Sequence, residues 1–231
     1  MKTSNQLLIG LIIILFAAIF GTATVLKSEY EKIDKDNPYY GYTSEALDNF
    51  SAIRIEGKYP GLIQIQYAEK YEVKRRGSSA EEFQWSIQND TLILTHPGAE
   101  FPERFVAERI LSNKSNFYIM APNLTAVHSA SSACKLSGWQ LSALRLEQQG
   151  QGSGMALTES EVDNLTAKIT QGGMIRIEQP NQIKRATVEV RDVSTFTVRP
   201  SAIDSLRAEI DSTAQVTVPG YLLHQVNSSN D

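Results

Sequence analysis

The sequence predicts an all-β domain, built as a parallel β-helix (a solenoid) with coils of about 21 residues and preceded by an N-terminal transmembrane helix. Three observations predict this. A unit of about 21 residues recurs five times in the second half of the chain, apolar and polar residues alternate inside each unit, and a long uncharged stretch stands at the N-terminus. Such a period is typical of solenoids, in which no unit can bury its apolar face alone.

The repeat units start 20, 21, 21 and 20 residues apart, at Leu124, Leu144, Leu165, Ala186 and Leu206. A spacing of two between apolar residues indicates strands, because side chains alternate between the two faces of a strand. Stacked coils place equivalent residues about 4.8 Å apart, so the apolar positions should form inward columns. The four other predicted inward columns are Ala126/Leu146/Ala167/Val188/Ala208, His128/Gln148/Ile169/Val190/Ile210, Cys134/Met155/Ile175/Phe196/Val216 and Leu136/Leu157/Ile177/Val198/Val218.

Polar residues and glycines fill the positions between these columns. Val127, Glu147, Lys168, Glu189 and Glu209 form a predicted outward column, which we interpret as a solvated face. Gly150, Gly152 and Gly154 are interpreted as a coil corner that needs positive φ or a close approach between coils. A phosphate-binding loop is disfavoured because no Lys-Ser/Thr pair and no long helix follows them.

These features resemble a known family, the auto-transporter adhesin head domain, or GIN domain, of bacterial envelope proteins. The resemblance rests on Phe50–Gly57, Leu62–Ile65, Tyr71–Val73, Leu92–Leu94 and the repeats with Gly152-Ser153-Gly154, and it covers roughly residues 50–220. It implies a β-helix with Ser-Gly-rich corners and an adhesin-like role. Only one repeat keeps a clean Gly-Ser-Gly, and the resemblance carries over no functional residue.

The N-terminal segment predicts export. Residues 3–26 contain no charged side chain, and about 20 apolar residues are enough to span a bilayer. Lys2 and the amino terminus place positive charge on the cytoplasmic side, so the rest of the chain would lie outside, as a single-pass protein. A cleaved signal peptide, with Gly21-Thr22-Ala23 as the cleavage site, is the alternative, and a buried core helix is a third.

Four segments follow from this organisation: an anchor or signal peptide at 1–26, a polar tether at 27–49, the β-helix domain at 50–220 and a tail at 221–231. Within the tether, Tyr39, Tyr40 and Tyr42 either form a binding patch or pack on the first coil, and we favour packing. Residues 50–95 should form early, less regular coils. Residues 96–116 break the rhythm and predict a projecting loop with a short helix near 103–110, which is the favoured binding element.

Charge and residue content exclude several classes of function. Residues 1–26 hold one lysine and no acidic residue, so the other 205 residues carry 21 basic and 26 acidic side chains, a poor composition for nucleic-acid binding. The single basic run, Lys74-Arg75-Arg76, is interpreted as a turn between strands. The only cysteine, Cys134, is expected to be a buried free thiol.

No catalytic, cofactor or metal site is predicted, and the binding residues are unknown. His96, His128 and His224 lack metal-ligand spacing, and His128 is interpreted as a satisfied polar partner of Gln148. Asp192 and Asp211 lie in neighbouring repeats, and Arg191 aligned with Asp211 predicts a surface salt bridge rather than acid–base chemistry.

The sequence therefore leads to one leading functional hypothesis and two alternatives. The leading one is a non-catalytic, membrane-anchored cell-envelope protein, periplasmic or extracellular, whose repeat domain binds a glycan or an envelope protein. The first alternative is a β-helix enzyme that acts on a polysaccharide. The second is a structural or signalling partner of another membrane protein.

Overall fold

The computed structural model describes residues 3–34, 37–77, 80, 82–98, 107–200 and 202–228. Contacts divide the chain into two units, residues 1–42 and residues 43–231. The first unit contains the long helix α1, Thr3–Glu31, followed by a turn in which the Tyr39 and Tyr42 rings lie edge to face. Tyrosine packing on the first coil concerns both units and stays a prediction.

Helix α1 is long and apolar enough to cross a membrane, and a signal sequence has the same properties. It continues past the predicted limit of residue 26, because polar residues prolong the helix to Glu31 and Lys27 pairs with Glu31 one turn later. The 27–49 tether prediction therefore needs correction at both ends. Its first residues are helical, and Thr43–Ala46 form a strand that pairs with the β-domain.

The second unit is almost entirely β-structure, which confirms the predicted fold class. Its strands are β1 Thr43–Ala46, β2 Ala52–Glu56, β3 Leu62–Tyr67, β4 Glu72–Arg75, β5 Gln84–Gln88, β6 Thr91–Thr95, β7 Phe117–Ala121, β8 Ala126–Ala130, β9 Ala133–Ser137, β10 Gln140–Gln149, β11 Gly154–Thr158, β12 Ser160–Thr170, β13 Met174–Ile177, β14 Asn181–Val190, β15 Thr195–Val198, β16 Ile203–Ile210, β17 Gln215–Thr217 and β18 Val226–Ser228. A short helix α2, Ala107–Leu111, and a 3₁₀ helix, Gly220–Gln225, complete it.

The strands form two nine-stranded sheets. The long-strand sheet has the order β18-β16-β14-β12-β10-β8-β2-β6-β5, and the short-strand sheet has the order β1-β4-β7-β3-β9-β11-β13-β15-β17. From β10 to β17 each coil contributes one strand to each sheet, and neighbouring coils pair in parallel. These are four regular turns of a β-solenoid, as the 21-residue period predicts.

The early part of the domain does not follow chain order. Strands β2 and β3 lie in the middle of the stack, between the β6–β7 layer and the β8–β9 layer. Strands β4 and β5 run antiparallel to their neighbours and lie at the same end as β1. These early coils are less regular than the later ones, as predicted, but apolar alternation did not reveal their order in the stack or their antiparallel pairing.

The prediction that the basic run Lys74-Arg75-Arg76 forms a turn also needs correction. Lys74 and Arg75 belong to strand β4 and not to a turn. Lys74 pairs with Glu72 at 3.0 Å, while the Arg75 guanidinium pairs with Glu45 at 3.5 Å and lies 5.1 Å from the Trp85 ring centre. These partners hold two cations on a strand at the end of the stack.

The core is a set of apolar ladders between the two sheets. Leu144, Leu165, Ala186 and Leu206 stack in one ladder, and Cys134, Met155, Ile175 and Phe196 stack in another, all of them buried. Burial of Cys134, a free thiol, was expected, and desolvation raises its pKa to about 12 despite a hydrogen bond with Ser129. The thiol is therefore protonated and unreactive at neutral pH.

The register differs from the sequence alignment in the first repeat. Val127 stacks on Leu146 and faces inward, while His128 stacks on Glu147 and faces outward. The corner between β8 and β9 has two residues, 131–132, whereas the corner between β10 and β11 has four, 150–153. A single spacing of 20 therefore cannot align both strands of this repeat, and Ser129, not His128, lies opposite Gln148.

Gly150 and Gly152 occupy the corner as predicted, whereas Gly154 is the first residue of strand β11. Gly150 and Gly152 have φ angles of 102° and 75°, in the left-handed region. A Cβ on Gly150 would lie 2.8 Å from Ser131 Oγ, and a Cβ on Gly154 would lie 2.8 Å from Ala107 Cβ. The first glycine allows two coils to approach closely, and Gly154 makes room for helix α2.

A short helix, α2, is present near the predicted position, at Ala107–Leu111, but it does not project from the solenoid. It packs on the outer face of the short-strand sheet, where Ala107, Ile110 and Leu111 contact a second apolar cluster. That cluster also contains Leu62, Ala133, Ala156 and Met174. The small outward side chains of the sheet leave space for the helix. Arg176 on the sheet also pairs with Glu108 on the helix at 3.5 Å. Residues 99–106 of the predicted loop lie outside the described residues.

Candidate functional site

A bend inside the long strands creates an outward polar surface. The pairing registers skip residues 142, 163, 184 and 204, and each of these is followed by a second outward residue. Leu141, Val162, Ile183 and Ile203 precede the bend and stack inward. Two consecutive outward residues per coil therefore line up along the solenoid and give it a polar corner.

Side chains on this corner hold one another in place. Arg185 Nε donates to Asn164 Oδ1 at 2.8 Å, and Asn164 Nδ2 donates to the Ser142 carbonyl at 3.0 Å. Lys184 pairs with Asp163 at 2.6 Å. The corner thus combines ordered amide and charged groups that can both donate and accept hydrogen bonds.

Four depressions lie at this corner or beside it. The first, of about 330 Å³, lies at Trp139 and Pro180, and the second, of about 460 Å³, at Asp163, Lys184 and Asp204. The third, of about 230 Å³, lies at Asn123 and Ser142, and the fourth, of about 140 Å³, at Ala52 and Ala126.

Neighbouring depressions share lining residues. Gln140, Glu161 and Gln182 line the first and second depressions, Leu141 lines the second and third, and Arg145 lines the third and fourth. We call this continuous surface, from Pro180 and Asp204 at one end to Ala52 at the other, the polar track. From Asp204 on β16 to Ala52 on β2, its lining residues span five strand spacings, which corresponds to about 24 Å along the solenoid axis.

The polar track offers hydrogen-bonding groups without an aromatic platform at Trp139. That side chain is fully buried, and its indole N–H donates to the Ile65 carbonyl at 3.3 Å. Glu161, Gln182 and Lys184 are exposed beside it. The surface is therefore suited to polyhydroxylated molecules that bind through hydrogen bonds.

At the Ala52 end, two cations flank a recess. Ala52 and Ala126 stack below Arg145 in one outward column, and Arg54 and His128 stack below Glu147 in the next. Glu147 accepts a hydrogen bond from Arg145 Nε at 2.7 Å, and its other oxygen lies 3.1 Å from His128 Nδ1. Partial burial opposes ionisation of Glu147, but Arg145 and His128 outweigh it and lower the pKa of this carboxyl.

The other histidines considered in the sequence analysis do not form a metal site among the described residues. His96 is buried against the Tyr59 and Phe83 rings and accepts a hydrogen bond from the Gly98 N–H at its Nδ1 atom. His224 belongs to the 3₁₀ helix, and its side chain lies outside the described part. Within the described ranges, no group of three or more His, Cys, Asp or Glu residues is arranged to hold a metal ion.

Asp211 is a turn-forming residue and not the partner of Arg191. Its carboxylate accepts hydrogen bonds from the backbone N–H groups of Asp192 at 2.7 Å, Thr213 at 2.8 Å and Ala214 at 2.9 Å. These hydrogen bonds, led by the one from Asp192, lower its pKa. Arg191 pairs with Glu189 at 2.6 Å instead. The predicted Arg191–Asp211 salt bridge was wrong, because the short Asp211 side chain bends onto the neighbouring backbone.

The polar track was not predicted from the sequence. Its signal was a pair of adjacent outward residues, Ser142-Ala143, Asp163-Asn164, Lys184-Arg185 and Asp204-Ser205, which recurs with the 21-residue period. The described residues of the predicted binding element, 96–98 and 107–116, do not line these depressions. Its role in binding stays a prediction.

Comparison with known proteins places this geometry in context. The family model described as "Putative auto-transporter adhesin, head GIN domain" matches residues 49–222. A search of curated proteins finds no match. The domain is similar in fold to a crystal structure described as a "putative adhesin" from Bacteroides fragilis, with a TM-score of 0.51 and 12% identity over 76% of this chain and 92% of that one.

Two further crystal structures from Parabacteroides are more distant. One, from Parabacteroides distasonis, is described as a "Putative lipid binding protein", with a TM-score of 0.46 and 12% identity over 77% of this chain and 80% of that one. The other, from Parabacteroides merdae, is described as a "putative adhesin", with a TM-score of 0.43 and 12% identity over 76% and 79%.

Proposed function

Because the chain belongs to the auto-transporter adhesin head GIN-domain family, we propose that it is a non-catalytic, membrane-anchored envelope protein. In this proposal α1 anchors the chain, and the exported β-solenoid domain binds a glycan or another envelope component along the polar track. The domain would be periplasmic or extracellular, or secreted if the N-terminal segment is cleaved. The apolar helix and the family match support this location.

The observation that carries the proposal is the continuity of the polar track. Depressions that share Gln140, Leu141 and Arg145 connect successive coils, so an extended molecule can contact several coils at once. Amide and carboxylate groups repeat at the coil spacing, about 4.8 Å, and match a ligand that itself repeats hydroxyl groups. Repeated weak contacts along one chain add up when they can all form simultaneously.

One arrangement favours a second candidate function, a polysaccharide-cleaving enzyme. Glu161, Asp163 and Asp204 line the largest of the four depressions, and glycoside hydrolysis uses pairs of carboxylic acids. Lys184 stands between Asp163 and Asp204 in their column and pairs with Asp163. This ion pair favours a binding role for Asp163 over a role as a proton donor.

A glycan panel separates these functions. Full-length protein in detergent micelles is incubated with bacterial and host glycans, and binding and release of reducing ends are followed in the same wells. We expect saturable binding without new reducing ends. Release of reducing ends that is lost in Asp163→Asn and Asp204→Asn would establish the enzyme instead. Absence of both signals would contradict glycan binding and direct attention to a protein partner in the envelope.

A further inference from the structure

The polar track is not uniform in charge along its length. At the Pro180 end it is lined by the carboxylates of Glu159, Glu161, Asp163 and Asp204 against the single cation Lys184. At the Ala52 end the recess is lined by two arginines, Arg54 and Arg145, against the single carboxylate of Glu147. A ligand that follows the track therefore meets an acidic, hydrogen-bonding region first and a basic recess at the end.

The recess has room because small side chains form its floor. Outward positions on neighbouring coils carry Ala52 and Ala126, where the next coils carry Arg145 and Thr166. Both alanines are only partly exposed, and the depression above them has a volume of about 140 Å³. Larger side chains on either side therefore enclose a space that a small chemical group can enter.

Charge in the recess is incompletely neutralised. Glu147 accepts a hydrogen bond from Arg145 and also contacts His128. The hydrogen bond with Glu147 holds the Arg145 guanidinium at the edge of the recess. Among the described residues, no carboxylate pairs with Arg54, which is exposed on the same face. One positive charge therefore remains for a ligand, and an arginine fork binds a carboxylate with two parallel hydrogen bonds.

We propose that this recess binds the carboxylate of an acidic sugar at one end of an otherwise uncharged glycan. This inference rests on the proposed function and adds the ligand class. The neutral sugars would lie on the amide and carboxylate region, and the acidic sugar would lie between Arg54 and Arg145. A polymer with a carboxylate on every residue fits poorly, because its other charges would face Glu161, Asp163 and Asp204.

Titration with a single acidic sugar tests the recess directly. Full-length protein in micelles is titrated with glucuronate, with its uncharged methyl ester and with glucose, while the Nε–Hε NMR signals of the arginines are followed. We expect glucuronate to shift the Arg54 and Arg145 signals in a saturable way, and the two uncharged sugars to leave them unchanged. Equal responses to glucuronate and its methyl ester, or no response to glucuronate, would overturn the proposal.

Variants separate a built site from general attraction of anions. Arg54→Gln and Arg145→Gln should each weaken glucuronate binding at least tenfold. Arg207→Gln is the matched control, since Arg207 lies in the same outward column as Arg145, two coils beyond Thr166, and is exposed beside Glu209. Equal weakening by Arg207→Gln would show nonspecific attraction and contradict the proposal.

Failure of this inference differs from failure of the proposed function. The recess proposal fails alone if neutral glycans bind the Arg54→Gln variant with unchanged affinity and a terminal acidic sugar does not increase the affinity of the wild-type protein. The polar track would then remain the proposed binding surface. If the wild-type protein binds no glycan at all, both the recess proposal and the proposed function fail.

Discussion

Replacing Phe196 with alanine is expected to lower the free energy of unfolding by about 3–5 kcal/mol. Phe196 is fully buried on β15 and lies in the ladder between Ile175 and Val216. Each coil is stabilised mainly by its neighbours, so a cavity at this position weakens the contacts of the coil on both sides. Chemical denaturation of the full-length protein in micelles, followed by the signal of the β-structure, measures the change.

Thr197→Ala is the matched control for this substitution. Thr197 is the next residue on the same strand, it points outward between Arg176 and Thr217, and it is half-buried. Its replacement should change the free energy of unfolding by less than about 0.5 kcal/mol. Similar losses for both variants would contradict the inward and outward assignment of strand β15.

Two arginines in the middle of helix α1 are expected to remove the protein from the membrane. Each arginine at the centre of a spanning helix costs about 2.5–3.5 kcal/mol of insertion free energy. Leu15 and Ala18 lie in the centre of the apolar stretch and are exposed on the helix. When expressed in bacterial cells, the double variant Leu15→Arg/Ala18→Arg should be absent from the carbonate-washed membrane fraction. The wild-type chain should remain in that fraction with its N-terminus intact.

Positive charge at the start of the helix provides the control. Ser4→Arg and Asn5→Arg, combined in one chain, add the same charge on the side predicted to remain in the cytoplasm, so the membrane fraction should keep this variant. Intact mass of the wild-type protein decides between anchor and signal peptide. A soluble wild-type chain that lacks the residues up to Ala23 would contradict the anchor and establish cleavage.

Much of the solenoid follows from sequence periodicity alone. From Leu144 onward the inward columns are those predicted, because alternation along a strand and a constant coil length determine which side chains meet. The first repeat escaped this logic, since its two-residue corner at Ser131–Ser132 shortens the coil and moves His128 outward. The position of β2 and β3 inside the stack depends on which edges meet in three dimensions, and the apolar pattern does not encode this.

The candidate site was harder to predict for a related reason. Its residues are outward positions, where polar side chains are expected whether or not they bind a ligand. Ala52 and Ala126 are 74 residues apart in the chain, and the recess exists only because β2 and β8 become neighbours. The same holds for the outward alanines and the glycine under helix α2. Their small size can be explained only when the helix that packs on them is known.

If the proposed function is correct, one ligand contacts several coils of the polar track at the same time. We would therefore measure the affinity of the full-length protein for oligosaccharides of increasing length, taken from the best-binding glycan of the panel. We expect the affinity to rise with length until the oligomer spans the track, about 24 Å, and then to level off. A monosaccharide that binds as tightly as the longest oligomer would contradict this expectation.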